Sequence, residues 1–452
     1  MRPVMVLLVA ILVMLSSSCE KLLDNNPSGA QLLDTEVYKD SVTVKGALVG
    51  LYNTMGEQVY GSLMSTLPGL SADELEFVGN TYDQFVGNAI IPNDPYINIL
   101  WAKSYNIIYS SNAIIEGVAS GSNLSPTFSM RAIAEAKFMR ALCYFYLLNL
   151  FGDIPLALTT HVEDNKLSPR KPVEKVYDHI IEDLKFAQLN LPADYSLSPG
   201  TRTRANKWAA TALLSRVYLY LKDWEQAEKQ ASEVLNNTSL YKLEEINAVF
   251  TPKSNEAILQ FYNNTNGYTI YASDVLPNPA EQIPKFVFTE QLKKIYNANP
   301  QDKRKIWSGA LSYNGVEYNY PAKYKSLALG TNAEYFTLLR LAELYLVRAE
   351  ARAHLNRIQD ALKDITVVRQ RAGLDALHLD QKNNLLDAIE AERRLELSNE
   401  MGHRWFDLKR KGVIDAILKP LKRNWKASAA LYPIPADQRA RNSSLTQNPG
   451  YN

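Results

Sequence analysis

The chain has 452 residues, of which 46% are hydrophobic and 21% charged, so it can form a large buried core and is not a disordered protein. Its 49 basic residues nearly balance its 48 acidic residues. The resulting net charge of +1 argues against nucleic acid as a partner.

The N-terminal segment predicts export and lipidation. Val4 to Leu15 are all apolar and follow Arg2, and this run is too short to span a bilayer but typical of an export signal. The run Leu15-Ser-Ser-Ser-Cys19 resembles a bacterial lipoprotein processing site. We therefore expect a signal peptide at 1–18, lipidation of Cys19 and a tether at 19–34. The alternative is an ordinary secretory signal in which Cys19 is incidental. Cys143 then has no partner and is expected to be a small buried side chain.

Helical periodicity dominates the rest of the chain. Apolar residues recur at steps of three and four in four helix pairs, at about 35–118, 129–190, 204–236 and 334–372. Short turns and alanines at the crossing points are typical of tetratricopeptide-type pairs, so we expect a mainly α fold. Within the first pair, Gly61 to Pro95 shows no steady period and is predicted to be a long connection.

Segment 237–333 is predicted to be a loop-rich insertion with a role in recognition. It holds fourteen aromatic residues in 97, against 10% aromatic residues in the whole chain. Aromatic rings in loops can stack on sugar faces or peptide side chains, while polar neighbours fix hydroxyls or amides. The candidate contacts here are Tyr271, Trp307 and Tyr313, and core positions are the alternative for Trp307 and Tyr313.

A second candidate cluster follows the first predicted helix. It contains Asp73, Tyr82 and Trp101, which combine a carboxylate with two aromatic rings. Trp101 also lies at helical spacing, so a core position is its alternative.

Residues 383–411 are predicted to form one helix. Five residues at steps of three and four define one face: Leu386, Ile389, Arg393, Leu397 and Met401. An acidic column lies beside it, formed by Glu392, Glu396 and Glu400, with arginines close enough for pairing. We interpret this helix as a salt-bridged scaffold.

Catalysis at this helix is the alternative. Glu396 and Glu400 lie one turn apart, near the spacing of roughly 5 to 6 Å between the carboxylates of retaining glycosidases. However, the flanking arginines would keep both carboxylates ionised, and an acid catalyst needs a raised pKa. We therefore expect no enzyme activity. The five histidines are scattered, so no zinc site is predicted, and no cofactor is expected. The acidic cluster of Asp73, Glu74 and Glu76 lacks the regular spacing of a calcium loop, so no metal site is assigned to it and calcium binding stays open.

The same stretch carries a family resemblance. The order Glu-Arg, Glu-Leu, Glu-x-Gly-x-Arg and Asp-Leu-x-Arg occurs at Glu392, Arg393, Glu396, Leu397, Glu400, Gly402, Arg404, Asp407, Leu408 and Arg410. It resembles the C-terminal signature of the SusD/RagB family of surface nutrient-binding lipoproteins. Phe151-Gly-Asp-Ile-Pro155 and Leu431-Tyr-Pro-Ile-Pro435 resemble further family motifs, so the resemblance covers nearly the whole mature chain.

The resemblance implies both fold and function. It implies a single SusD-like domain over 35–452, in which four tetratricopeptide-type helix pairs accompany the aromatic insertion. It also implies a lipid-anchored protein of the outer membrane, facing the exterior, that delivers oligosaccharides to a SusC-like TonB-dependent transporter. The alternatives are a RagB-like oligopeptide-binding protein and a transporter lid without ligand affinity of its own.

Overall fold

The computed structural model describes residues 38–56, 59–121, 123–262, 267–278, 283–330 and 334–451. This part of the chain is mainly α-helical, which confirms the predicted fold class. The predicted signal peptide (1–18), the lipidation site Cys19 and the tether (19–34) lie outside the described residues.

Seventeen α-helices and eight short strands are present in the described residues. The helices are α1 (Ser41–Gly56), α2 (Met64–Ser71), α3 (Asp83–Val86), α4 (Pro95–Ser120), α5 (Pro126–Phe151), α6 (Val162–Asn165), α7 (Val173–Asn190), α8 (Lys207–Tyr220), α9 (Trp224–Leu235), α10 (Ile270–Val275), α11 (Glu290–Asn297), α12 (Leu341–His354), α13 (Ile358–Arg371), α14 (Lys382–Glu396), α15 (His403–Arg410), α16 (Ile414–Leu418) and α17 (Ala436–Arg441). The strands are β1 (Leu75–Phe77), β2 (Ile154–Pro155), β3 (Arg170–Lys171), β4 (Ala257–Phe261), β5 (Phe286–Phe288), β6 (Ser308–Tyr313), β7 (Val316–Pro321) and β8 (Phe336–Arg340). The strands pair antiparallel in four two-stranded sheets, β1 with β5, β2 with β3, β4 with β8, and β6 with β7.

The four predicted helix pairs correspond to helices that pack on each other. These are α1 with α4, α5 with α7, α8 with α9, and α12 with α13. Contacts of α4 with α5, α7 with α8, and α9 with α12 join each pair to the next. The result is one continuous helical array, against whose last pair α14 also packs.

Local sequence explains where the two longest helices begin. Asp94 precedes α4, and its carboxylate accepts hydrogen bonds from the backbone N–H of Tyr96 at 2.8 Å and of Ile97 at 3.3 Å. Ser125 precedes α5 in the same way, and both helices have proline as their first residue. Most of α5 is buried, including Cys143, which confirms the prediction of a small buried cysteine.

Two predicted boundaries are corrected near the start and end of the array. Gly61 to Pro95 contains helix α2, which is wholly buried although Pro68 lies within it, as well as strand β1. Residues 336–340, predicted as the start of a helix, form strand β8 and pair with β4. This strand is buried along its length, and a short apolar run does not distinguish a buried strand from a helix.

The predicted helix at 383–411 is two helices. Helix α14 ends at Glu396 and α15 begins at His403. Asn399, Met401 and Gly402 between them have positive φ values of 55°, 45° and 70°. A left-handed backbone cannot continue a right-handed helix, so Leu397 and Met401 do not share a helical face with Arg393.

Candidate functional site

The carboxylates considered for catalysis are buried in a network of charges. The guanidinium of Arg340 donates to Glu396 at 2.6 Å and to Glu400 at 2.7 Å. Arg371 also pairs with Glu396, and Lys323 pairs with Glu400. Burial raises the pKa of Glu396, but the neighbouring arginines outweigh this effect and hold the pKa below its usual value. The same competition, with Arg340 and Lys323, lowers the pKa of Glu400.

Both glutamates are held ionised, as predicted, but the cations are Arg304, Arg340, Arg371 and Lys323. The flanking arginines, to which the prediction assigned this role, pair with Asp73 and Asp407 instead. Glu396 is 0% exposed and Glu400 is 7% exposed. Neither can reach a substrate or supply a proton to it, because acid catalysis needs an accessible carboxyl group with a raised pKa. The network is a scaffold that joins α14 to β8 and to the insertion.

Asp73, predicted as a ligand contact, is another buried ion-pair partner. Its carboxylate accepts hydrogen bonds from Arg404 at 2.8 Å and from Arg394 at 2.6 Å, and the residue is 3% exposed. Burial raises the pKa of Asp73, but its bonds to these arginines lower it further. Asp73 thus fixes the loop before β1 to helices α14 and α15, which corrects the expectation that it faces a ligand.

Three predicted aromatic contacts also lie in the core. Trp101, Tyr271 and Trp307 are 3%, 1% and 1% exposed. The indole N–H of Trp307 donates to the carbonyl of Ile246 at 3.1 Å, and the ammonium of Lys323 lies 4.7 Å from its ring centre. These three side chains present no surface to a ligand in this structure, so the core alternative holds for Trp101 and Trp307.

Tyr82 is half-buried in a cluster of aromatic rings at the surface. Its ring centre lies 4.8 Å from those of Phe77 and Tyr96 and 5.6 Å from that of Phe286. Phe77 and Tyr96 are also half-buried, whereas Phe286 lies beneath them. We call Phe77, Tyr82, Tyr96 and Phe286 the ring cluster.

Tyr313 is the predicted site residue that is clearly exposed, at 37%, and it lies at the tip of the β6–β7 hairpin. Directly opposed residues of an antiparallel pair share a face, and successive residues of a strand alternate between faces. The register places Tyr313 opposite Val316, Leu311 opposite Tyr318, and Gly309 opposite Tyr320. One face, which we call the hairpin face, therefore carries Leu311, Tyr313, Val316, Tyr318 and Tyr320.

The hairpin face is accessible and its geometry is well defined. Tyr318 and Tyr320 are half-buried and Val316 is 51% exposed. A side-chain carbon on Gly309 would lie 2.2 Å from the ring of Tyr320, so glycine at this position leaves room for that ring. Asn314 and Gly315 form the turn with φ values of 50° and 78°, as a two-residue type I′ turn requires.

Strand β5 brings the two sequence clusters together. It pairs with β1 along Phe286–Phe288, and Phe286 packs on Phe77 with ring centres 5.2 Å apart. Strand β5 also contacts β7. The ring cluster and the hairpin therefore both adjoin β5, and we treat them together as one candidate binding region.

Tyr318 and Tyr320 were not among the predicted site residues, although the sequence contains a signal for them. Asn-Gly between alternating apolar residues is a strong local indication of a hairpin. With the turn at Asn314-Gly315, positions 316, 318 and 320 fall on one face together with Tyr313. The period-two pattern, unlike the count of aromatic residues, separates these tyrosines from the buried Trp307.

The described residues contain neither a membrane-spanning helix nor a cluster of metal-ligand side chains. None of their helices combines the length and apolarity that crossing a membrane requires. In the same part of the chain, no three His, Cys, Asp or Glu side chains are grouped as metal ligands.

Comparisons with known proteins cover nearly the whole chain. A profile described as the SusD family matches residues 222–451, and one described as starch-binding and associating with the outer membrane matches residues 21–219. SusD-like protein P25 of Formosa agariphila is 25% identical over 92% of this chain and 91% of its own length. The starch-binding protein SusD of Bacteroides thetaiotaomicron is 26% identical over 72% of this chain and 73% of its own. A solved laminarin-binding SusD-like protein shares the fold, with a TM-score of 0.74 and 23% identity over 92% of this chain and 100% of its own.

Proposed function

The chain belongs to the SusD/RagB family, and from this membership we propose that it captures oligosaccharides at the cell surface without cleaving them. The observation that carries the proposal is the hairpin face. Tyr313, Tyr318 and Tyr320 lie on one side of the β6–β7 hairpin, and each is at least partly exposed. Such rings stack on the C–H faces of sugars, which are apolar although the sugar edges are polar.

The ring cluster extends the proposed site. Tyr82 and Tyr96 add half-buried rings next to Phe286 of β5, the strand that also contacts the hairpin, and we propose that an extended ligand contacts both groups. An oligosaccharide of several units suits this arrangement better than a single sugar does. The starch-binding relative, which covers 72% of this chain, favours a glycan over a peptide.

The proposed site performs binding and no bond cleavage. The only carboxylate pair singled out for catalysis, Glu396 and Glu400, is buried and ionised away from this surface. Retention of the ligand then depends on ring contacts and hydrogen bonds alone.

We further propose the cellular setting that the family resemblance implies. Cys19 carries the lipid anchor, residues 19–34 serve as tether, and the domain lies on the exterior of the outer membrane. The protein delivers its ligand to a SusC-like TonB-dependent transporter. The description of the matching N-terminal profile supports outer-membrane association.

Calorimetry on a soluble protein that starts at Glu20 tests the binding function. We would titrate it with maltoheptaose, laminarihexaose and a mixture of tetrapeptides, and inspect each sample afterwards for breakdown products. We expect saturable binding of one oligosaccharide class with the ligand left intact. Saturation by the peptides alone would establish the oligopeptide alternative, and breakdown products would contradict the absence of enzyme activity.

Variants of the hairpin face test the site. Tyr313→Ala combined with Tyr318→Ala should weaken oligosaccharide binding at this site by about tenfold or more, the effect of losing about 1.4 kcal/mol. Leu189→Ala is the matched control, since Leu189 is 82% exposed and lies on α7. Unchanged affinity in the double variant would move the site away from the hairpin.

A further inference from the structure

A cavity of about 730 Å³ lies beside α4 where the described chain begins at Tyr38. Its floor comes from one face of the helix, because Tyr109, Ala113, Glu116, Gly117 and Ser120 are separated by steps of three and four. Three of these five side chains are small, so the helix backbone lies close to the cavity.

Two tyrosines line the cavity. A side-chain carbon on Gly117 would lie 2.1 Å from the ring of Tyr38, so the missing side chain creates the space in which that ring lies. Tyr109, at the other end of the same helix face, is 51% exposed. Both rings line the cavity, and neither belongs to the ring cluster or the hairpin face.

The polar wall of the cavity is held in place by hydrogen bonds. The carboxylate of Glu116 accepts a bond from the backbone N–H of Thr160 at 3.1 Å and one from its hydroxyl at 2.5 Å. The side-chain amide of Asn165 donates to the carbonyl of Thr159 at 2.6 Å, which fixes the adjoining loop. Burial raises the pKa of Glu116, but the bonds from Thr160 and Thr159 outweigh it and lower the pKa. Glu116 is therefore an ionised acceptor at neutral pH.

We propose that this cavity is a second oligosaccharide-binding site, in which a neutral sugar unit lies against Tyr38 and Tyr109 and donates hydroxyl hydrogen bonds to Glu116. Its volume falls within the range of about 300 to 1,000 Å³ that is common for ligand pockets. Aromatic rings beside an oriented carboxylate suit a ligand with an apolar face and hydroxyl edges, and the lining carries Lys39 as well as Glu116, so its charges nearly balance and a neutral sugar is favoured. The inference rests on the proposed function, since it assumes the same class of ligand.

Binding stoichiometry tests the second site on the soluble protein that starts at Glu20. With maltoheptaose and laminarihexaose as probes, we expect two ligands per chain for one of them. The Tyr109→Ala variant should bind one ligand per chain, and so should the hairpin double variant. The variant that combines all three substitutions should bind none. Leu189→Ala should retain two, and circular dichroism should show the same helical content for all variants.

Each other result has a distinct meaning. If the wild type binds one ligand per chain, and this ligand is lost in the hairpin double variant but kept in Tyr109→Ala, the second site is overturned and the proposed function stays intact. One ligand lost only in Tyr109→Ala places binding in this cavity and removes it from the hairpin. No binding of either probe overturns both proposals.

Gly117→Leu provides an independent check. A leucine at this position would displace the ring of Tyr38 and fill the floor of the cavity, while the hairpin face stays unchanged. We expect this variant to lose one of the two ligands, and retention of both would overturn the second site.

Discussion

Single side chains hold distant parts of this chain together through buried charge. Glu396 is fully buried and accepts hydrogen bonds from Arg304 at 3.1 Å and Arg340 at 2.6 Å, in addition to its pairing with Arg371. Removing the negative charge leaves buried guanidinium groups without full compensation. We expect Glu396→Gln to lower the free energy of unfolding by about 3 to 5 kcal/mol, measured by urea denaturation.

The matched control is a glutamate in an exposed pair. Glu163 pairs with Lys166, and its side chain is 78% exposed. Glu163→Gln should change stability little, because exposed pairs are screened by solvent. A small effect of Glu396→Gln, similar to that of the control, would contradict the structural role of the network.

Glu74 gives stability a pH dependence of the opposite sign to that of most carboxylates. It is 1% exposed, and burial together with the charge of Asp73 raises its pKa to about 7. A pKa raised on folding stabilises the protein fully below the unfolded value of 4.5, and this contribution is lost as the pH rises through 7. We expect Glu74→Gln to gain stability relative to wild type between pH 4.5 and 8, by up to about 3 kcal/mol.

Urea denaturation of both proteins at several pH values measures this difference. The wild type alone is not informative, because other groups titrate in the same range. A difference between the two proteins that stays constant from pH 5 to 8 would show that Glu74 ionises normally.

At the residue scale, the sequence predicts that Glu396 and Glu400 are ion-paired, but not which cations pair with them. Their partners Arg304, Arg340, Arg371 and Lys323 lie 25 to 92 residues away in the sequence. The arginines nearby in the sequence pair with Asp73 and Asp407 instead. Trp307 and Tyr313 have the same kind of sequence neighbourhood, yet one is buried and the other exposed. The difference arises from contacts over long separations, such as the bond from Trp307 to Ile246, 61 residues away.

Among the elements, the break between α14 and α15 allows a sharp test of backbone geometry. Gly402 has a φ of 70°, and a side-chain carbon there would lie 2.9 Å from Pro68 and 3.0 Å from Phe406. Gly200 has a φ of 76° and no atom within 4 Å of such a carbon. In both Gly402→Ala and Gly200→Ala, a left-handed backbone conformation at alanine costs about 1 to 2 kcal/mol of stability. Only Gly402→Ala adds a steric clash.

We expect Gly402→Ala to cost a further roughly 1 to 3 kcal/mol beyond Gly200→Ala. The difference in urea midpoint between the two variants, at equal m-values, measures the clash alone. Equal midpoints would indicate that α2 moves away from the turn without cost.

Element positions were predictable where periodicity and end signals agree. Helices α7 and α9 lie close to their predicted positions, because an amphipathic pattern ends at a clear turn in each. The strand β8 and the break after Glu396 were missed, since the apolar pattern runs on through both. The strand β8 forms because it pairs with β4, and the break after Glu396 is fixed by the close approach of Gly402 to Pro68. Both are tertiary contacts that the local sequence does not reveal.

For the whole molecule, the proposed anchor predicts where the protein resides. Cys19→Ala in the full chain removes the proposed acylation site while the domain from residue 38 onward is unchanged. We expect the variant to leave the membrane fraction, and mass spectrometry of the wild type to show an acylated N-terminal peptide starting at Cys19. Cys143→Ala is the control and should stay with the membrane, because Cys143 is buried within α5.

The architecture of the whole molecule was predictable from the family resemblance together with the helix pairs. The position of the proposed binding region was not, because three of the four rings of the ring cluster, those of Phe77, Tyr82 and Tyr96, lie more than two hundred residues before the hairpin. The pairing of β1 with β5 and the contact of β5 with β7 bring these parts of the chain close together.

Contacts between the two ends of the chain can form only after the C-terminal part has been synthesised. The carboxylate of Asp73 accepts a hydrogen bond from the guanidinium of Arg404, and the hydroxyl oxygen of Ser65 accepts one from the backbone N–H of Met401. The carbonyl of Leu150 accepts a hydrogen bond from the backbone N–H of Tyr432. Until residues near 400 are available, the carboxylate of Asp73 lacks its native arginine partners. Under the proposed export, a chain translocated before these residues are joined lacks the contacts that fix the two ends of the fold together.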